Sequence, residues 1–158
     1  QFCQALLGGK PAEVESLLNL YLQKTVSVRD TFVWKSLKEN FYHGILLGIL
    51  SYKNDWRVSS NRESGEGFSD IVIETGDSET GIVIEVKYTD EKKDLERDCR
   101  KALKQIRDKD YTQTLWQEGY KKMVQYGISF HLKQCCVMEE ETQRKRNRVG
   151  ALNRYNLL

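Results

Sequence analysis

Behind Pro11, the apolar residues Val14, Leu17, Leu18 and Tyr21 recur at three- and four-residue spacing, which predicts a short amphipathic helix over Pro11 to Tyr21. A longer helix is expected from Thr31 to Tyr52, with Trp34, Leu37, Phe41, Ile45 and Ile49 forming its apolar stripe. Gly44 and Gly48 lie within it and weaken a helix, so they predict a closely packed neighbour that compensates.

After Asn54 the pattern turns extended, over Trp56 to Ser60, Asp70 to Glu74 and Ile82 to Tyr88. The separating stretches, Asn61 to Gly67 and Thr75 to Gly81, are rich in turn formers, so the three strands should form an antiparallel meander. Gly81-Ile82-Val83-Ile84 shows no polar alternation, which predicts burial on both faces and a central place in the sheet. The helical period returns over Glu91 to Lys109, with Leu95, Cys99, Ala102, Leu103 and Ile106 on one side. A further helix is expected over Gln113 to Val124. Two strands then follow, one in which Tyr126, Ile128 and Phe130 alternate with small or polar residues, and one at Cys135 to Glu139. The sum is an α/β fold: a central mixed sheet, three meander strands plus two more, flanked by helices in the order α-βββ-α-ββ.

Composition narrows the function classes. The 158 residues suffice for one ordinary core, so one domain is expected. Lys and Arg number 25 against 23 Asp and Glu, too balanced for a polycation, and phosphate binding would have to come from local placement. No apolar run approaches the roughly 20 residues of a membrane span, and no leader precedes the first helix. The chain reads as a soluble, cytoplasmic fragment of a longer protein, with no membrane partner. Cys3, Cys99, Cys135 and Cys136 form no C-x-x-C pair, which favours reduced structural thiols over a zinc site or a disulfide framework. The segment EEETQRKRNR reads as a solvated tail, with the basic cluster Arg144 to Arg148 a weaker candidate for phosphate contact.

The candidate chemistry lies in Ile82-Val83-Ile84-Glu85-Val86-Lys87. Glu85 and Lys87 are two apart near the end of a core strand, so they share a face. Burying an unpaired charge is costly; they must pair, reach solvent or hold an ion. The Thr75 to Gly81 turn brings Asp70 back beside them. For Asp70 to share their face, paired positions must sum to an odd number; an even sum puts it on the other face unless a bulge intervenes. Two carboxylates suit Mg²⁺ or Mn²⁺, with the backbone carbonyl of Val86 as a further ligand and Lys87 placed to orient or help deprotonate a water.

Asp70 followed across a turn by Glu85-Val86-Lys87 resembles the PD-(D/E)XK nuclease superfamily, with Ser69 standing where the name motif has Pro. More closely, KENFYHGILLGIL, SNRESGEGFSDIVIE, IVIEVK, ALKQI and GYKKMVQYGISF look like the nuclease-like domain at the C-terminus of many bacterial AAA-ATPase-like proteins. The resemblance implies a restriction-endonuclease-like core and metal binding by Asp70 and Glu85. It makes Lys87 the catalytic lysine and Glu39 an additional acid by the metal. It offers Gln105 and Tyr111 on the following helix, and Arg62, Glu63 and Ser64 in a loop, as substrate-binding candidates. His43, one turn beyond Glu39, could bond Glu39, contact phosphate or simply be satisfied by packing. The implied layout is an N-terminal helical segment at 1–24, the nuclease-like domain at 25–139 and a polar tail at 140–158, with an ATPase domain as a possible N-terminal partner. The implied function is magnesium- or manganese-dependent hydrolysis of phosphodiester bonds in DNA. Two alternatives stand beside it: an inactive nuclease-fold binding or regulatory module attached to an ATPase, and a protein-interaction domain in which the charged trio is a structural ion pair.

Overall fold

The unbroken apolar run of the third strand lies at the middle of a five-stranded sheet ordered β1-β2-β3-β4-β5. In this computed structural model the described residues are 1–32, 35–62, 69–109 and 112–144, with 30–31, 35–36, 61–62 and 69–70 described by their backbone. The strands are β1 (Arg57–Arg62), β2 (Ser69–Glu74), β3 (Thr80–Tyr88), β4 (Lys122–His131) and β5 (Gln134–Gln143). The pairs β1–β2, β2–β3 and β4–β5 are antiparallel, while β3–β4 is parallel. A parallel pair requires a crossover, and here α4 (Leu95–Lys109) and α5 (Gln113–Gln117) supply it.

Alternation along the strands divides the core in two. Ile71, Ile73, Ile82, Ile84, Val86 and Tyr88, with Val124, Tyr126, Ile128 and Phe130, pack on one face against α1 (Phe2–Leu7), α2 (Pro11–Thr25) and α3 (Lys35–Leu50). Val83 and Met123 face the other way and meet Leu103, Ile106, Leu115 and Tyr120. The five apolar residues expected to line α4 are all buried. This follows from the strict contrast of that helix, whose other positions are almost all charged.

The N-terminal segment belongs to the same core. Leu6, Val14, Leu18 and Leu22 are buried in it, and the buried hydroxyl of Tyr126 donates to the carbonyl of Leu6 at 2.7 Å. Helix α2 also covers the edge strand: the Cys135 N–H donates to Asn19 Oδ1 at 2.8 Å and the Val137 N–H to Glu15 Oε2 at 2.9 Å.

Four expectations are corrected. The buried row of α3 is Tyr42, Leu46 and Leu50, one position on from the expected Phe41, Ile45 and Ile49, which are only half-buried, and Leu37 is exposed. Helix α3 is apolar over most of its circumference, so its inward row was set by packing: Tyr42 stacks on Phe130 at 4.4 Å and on Tyr88 at 5.8 Å. Gly44 and Gly48 face open space rather than a close neighbour. Each therefore weakens the helix with no packing return, and Gly44→Ala and Gly48→Ala should each stabilise the fold by about 0.5–1 kcal/mol, read as a higher urea midpoint. The expected helix over Gln113 to Val124 ends at Gln117; Gly119 at φ +96° breaks it, and Met123 and Val124 pair with Gly81 and Ile82. Strand β5 runs on to Gln143, four residues into the expected tail, because β4 begins early enough to pair with it. The basic cluster beyond Arg144 and the expected position Trp34 lie outside the described residues.

Candidate active site at the end of the central strand

Strand β3 outruns its neighbour on one side. Its ladder with β2 extends from Glu74↔Gly81 to Ile71↔Ile84, whereas β3 continues to Tyr88 alongside β4. Paired positions sum to 155, an odd number, and the same register one position further sets Asp70 opposite Glu85. An odd sum is the condition for a shared face.

The backbone of β3 opens toward the same gap. The N–H of Thr89 donates to Phe130 on β4, so residues 85, 87 and 89 turn their backbone groups to β4, and 86 and 88 turn theirs away from it. In agreement, the Tyr88 N–H donates to Glu39 Oε1 at 3.3 Å. The Val86 carbonyl consequently projects to the β2 side beyond the last rung of that ladder, while its side chain is buried in the core.

Glu85 is fully buried, and neither of its carboxylate oxygens has a hydrogen-bond partner among the described residues. The Lys87 ammonium is 3.0 Å from Glu85 Oε1, an ion-pair distance without hydrogen-bond alignment. It donates instead to Gln105 Oε1 on α4 at 2.6 Å. A carboxylate buried in this manner costs several kcal/mol of desolvation, and one misaligned ammonium offsets only part of it. Two unsatisfied hard oxygens on one carboxylate, facing a neighbouring strand position occupied by Asp70, fit a divalent cation of the magnesium type. Among the described side chains no group of three or more His, Cys, Asp or Glu is close enough to hold a metal unaided.

Close packing brings Gln105 to Lys87. Gly127, the β4 partner of Glu85, lies beneath α4 so tightly that a Cβ there would come within 2.4 Å of the Cys99 carbonyl oxygen. The Cys99 thiol donates to the Gly127 carbonyl at 2.8 Å, and the Ser129 hydroxyl ties the first turn of the helix through Leu95 O at 2.6 Å. All four cysteines are free, and burial pushes each thiol above its ordinary pKa, as structural thiols require.

The structure thus groups Glu85, Lys87 and Gln105, with Glu39 at the adjoining residue of β3. His43 is buried and its Nε2 lies 2.9 Å from Ser60 Oγ on β1, away from the α4 face. Arg62 is placed by its backbone at the end of β1, and Glu63, Ser64 and Tyr111 lie outside the described residues. Two participants escaped sequence reasoning: Gly127, whose signal was a lone glycine in the interior of a strand, and Ser129, which carried none. A cleft of about 850 Å³ lies elsewhere, between α2, the start of α4 and β5.

A meander followed by a helical crossover to a parallel strand, with an acid and a lysine two apart where the central strand leaves its neighbour, defines a nuclease-like α/β fold. A family model of the PD-(D/E)XK nuclease superfamily matches residues 37–140, and the chain belongs to that superfamily. The search of curated proteins returned no significant match. No described helix is long and apolar enough to cross a membrane.

Proposed function

We propose that this domain is a metal-dependent nuclease that hydrolyses phosphodiester bonds in DNA at the end of β3. The observation that carries the reading is Glu85: a fully buried carboxylate whose two oxygens have no hydrogen-bond partner among the described residues, opposite the register position of Asp70. Asp70, Glu85 and the Val86 carbonyl would hold Mg²⁺ or Mn²⁺. When bound, such a cation polarises the scissile phosphate and makes a coordinated water acidic. Lys87 supplies a cation for the charge that accumulates on the phosphate and a donor that orients the attacking water. Gln105 holds that ammonium against one rotameric drift, and Glu39 fixes the strand backbone immediately after it.

Calorimetric titration of Mn²⁺ tests the reading directly. Wild type should bind with a clear heat, and Glu85→Ala should weaken the affinity at least tenfold; equal affinity in the two proteins removes the metal site from this position. A second reading, an inactive binding module attached to an ATPase, draws on the completeness of the burial of Glu85 and on its pairing with Lys87. Plasmid cleavage in Mg²⁺ or Mn²⁺ separates the two.

A further inference from the structure

The groove beside Gln105 has a chemistry of its own. It measures about 350 Å³ and is lined by Lys101, Lys104, Gln105, Asp108 and Lys109. It borders the candidate active site, because Gln105, one of its lining residues, also accepts a hydrogen bond from the Lys87 ammonium. Residues 101, 105 and 108 recur at helical spacing and so form one flank of α4. The β5 side carries Arg100 and Arg107, with Lys104 at three- and four-residue spacing from them: Arg107 pairs with Glu140, and Arg100 lines the distant cleft with Cys135 and Cys136. Lys101 and Lys109 therefore stand on the Gln105 side of the helix, Arg100 and Arg107 on the β5 side, and Lys104 between them at the rim of the groove.

Resting on the nuclease reading, we infer that the Lys101–Lys104–Lys109 flank is the track for the phosphodiester backbone of the DNA strand adjoining the scissile bond. Bulk charge cannot draw DNA to this molecule, since the whole chain carries only +2. Local placement can: helix α4 alone holds six cations against three acids, and three of those cations border the groove. Asp108 is the single acid in the lining. The cleft by the beginning of β5 also holds cations, Lys92, Lys93, Arg97 and Arg100, but it lies away from Lys87, whereas Gln105 joins the groove to that ammonium.

The existing partners of Lys101 and Lys104 do not hold them back. Lys101 reaches Asp98 at 3.2 Å and Lys104 reaches Asp108, both across one turn, with lysine side chains more than half exposed. Exposed pairs of this kind are weak and are screened by salt, so a phosphate exchanges for them readily. Flexible ammonium stems also suit a sequence-independent track better than a fixed guanidinium fork.

The test compares Lys101→Gln/Lys109→Gln with Arg100→Gln/Arg107→Gln, which remove equal charge from the two sides of one helix. The Kd of a 5′-fluorescein-labelled dT20 is read by anisotropy in EDTA over a salt series, so that no outcome depends on cleavage. The lysine pair should weaken binding about tenfold at 50 mM salt and lower the slope of log K against log salt by about 1.4, while the arginine pair changes little. Equal losses in both variants, no loss in the lysine variant, or no binding of dT20 by wild type each overturns the track. Failure of the nuclease reading would be distinct: dT20 binding sensitive to the lysine pair, together with wild-type plasmid that stays uncut in Mn²⁺. Thermal melts of both variants confirm that the helix remains folded.

Discussion

Replacing Lys87 with alanine is expected to lower DNA cleavage by about 10²- to 10⁴-fold, the range spanned by one positioned acid–base or charge-stabilising group. The side chain is 14% exposed, fixed between Glu85 and Gln105, and beyond the last described rung of the β2–β3 ladder, next to the register position of Asp70. The same substitution leaves the Glu85 carboxylate buried without a cation, at a cost of about 3 kcal/mol in the absence of metal. That second effect gives the experiment an internal control. A divalent cation at the carboxylate should restore what the ammonium supplied, so Mn²⁺ should raise the melting temperature of Lys87→Ala more than that of wild type. A variant that cuts within tenfold of wild type would remove Lys87 from the chemistry. One whose melting temperature ignores Mn²⁺ would remove the metal from Glu85.

The second large effect is expected at a residue that carries no charge itself, beside Glu85 on the neighbouring strand. Gly127→Ala would place a methyl group 2.4 Å from the Cys99 carbonyl oxygen and 3.1 Å from both Ala102 Cβ and Leu103 Cγ. The nearest of these is backbone, so the clash is relieved only by lifting α4 from the sheet. Overpacking of this severity costs about 3 kcal/mol, measured as a fall in the urea midpoint with unchanged slope. A lifted α4 also withdraws Gln105 from Lys87, so residual activity should fall in the folded fraction as well. A loss below about 1 kcal/mol would mean that the helix has room the present packing denies it.

Those two positions mark what could and could not be read from the sequence. Strand β3 was legible because an apolar run flanked by turn formers has few other solutions, and α4 was legible because its apolar and charged positions never mix. Helix α3 was misread by one position because nearly all of its second half is apolar; periodicity carries no phase when every face is greasy, and the aromatic stack on Phe130 decided it. Met123 and Val124 looked helical only because the glycine break at 119 was passed over, and helix α1 left no signal in six residues. At the site, the spacing of Glu85 and Lys87 is a local property and could be read directly. The rung at which β2 leaves β3 is a tertiary property, set by a turn anchored on Asp77, whose Oδ1 accepts the N–H groups of Glu79 and Thr80. Partial burial pushes the Asp77 carboxyl up, but those bonds and one from Thr75 outweigh it and hold the pKa below the usual carboxylate value.

The two side chains that α2 lends to β5 bear on how copies of this domain can meet. An open sheet margin invites a foreign strand, and the amide hydrogens at 135 and 137 are the handles such a strand would grasp. Asn19 and Glu15 already occupy both, so extension of the sheet there would first require peeling away a helix whose Val14, Leu18 and Leu22 are anchored in the interior. Farther along, three successive glutamates make the remaining margin mutually repulsive for like chains at neutral pH. Self-association that adds strand to strand is thereby disfavoured on the β5 side.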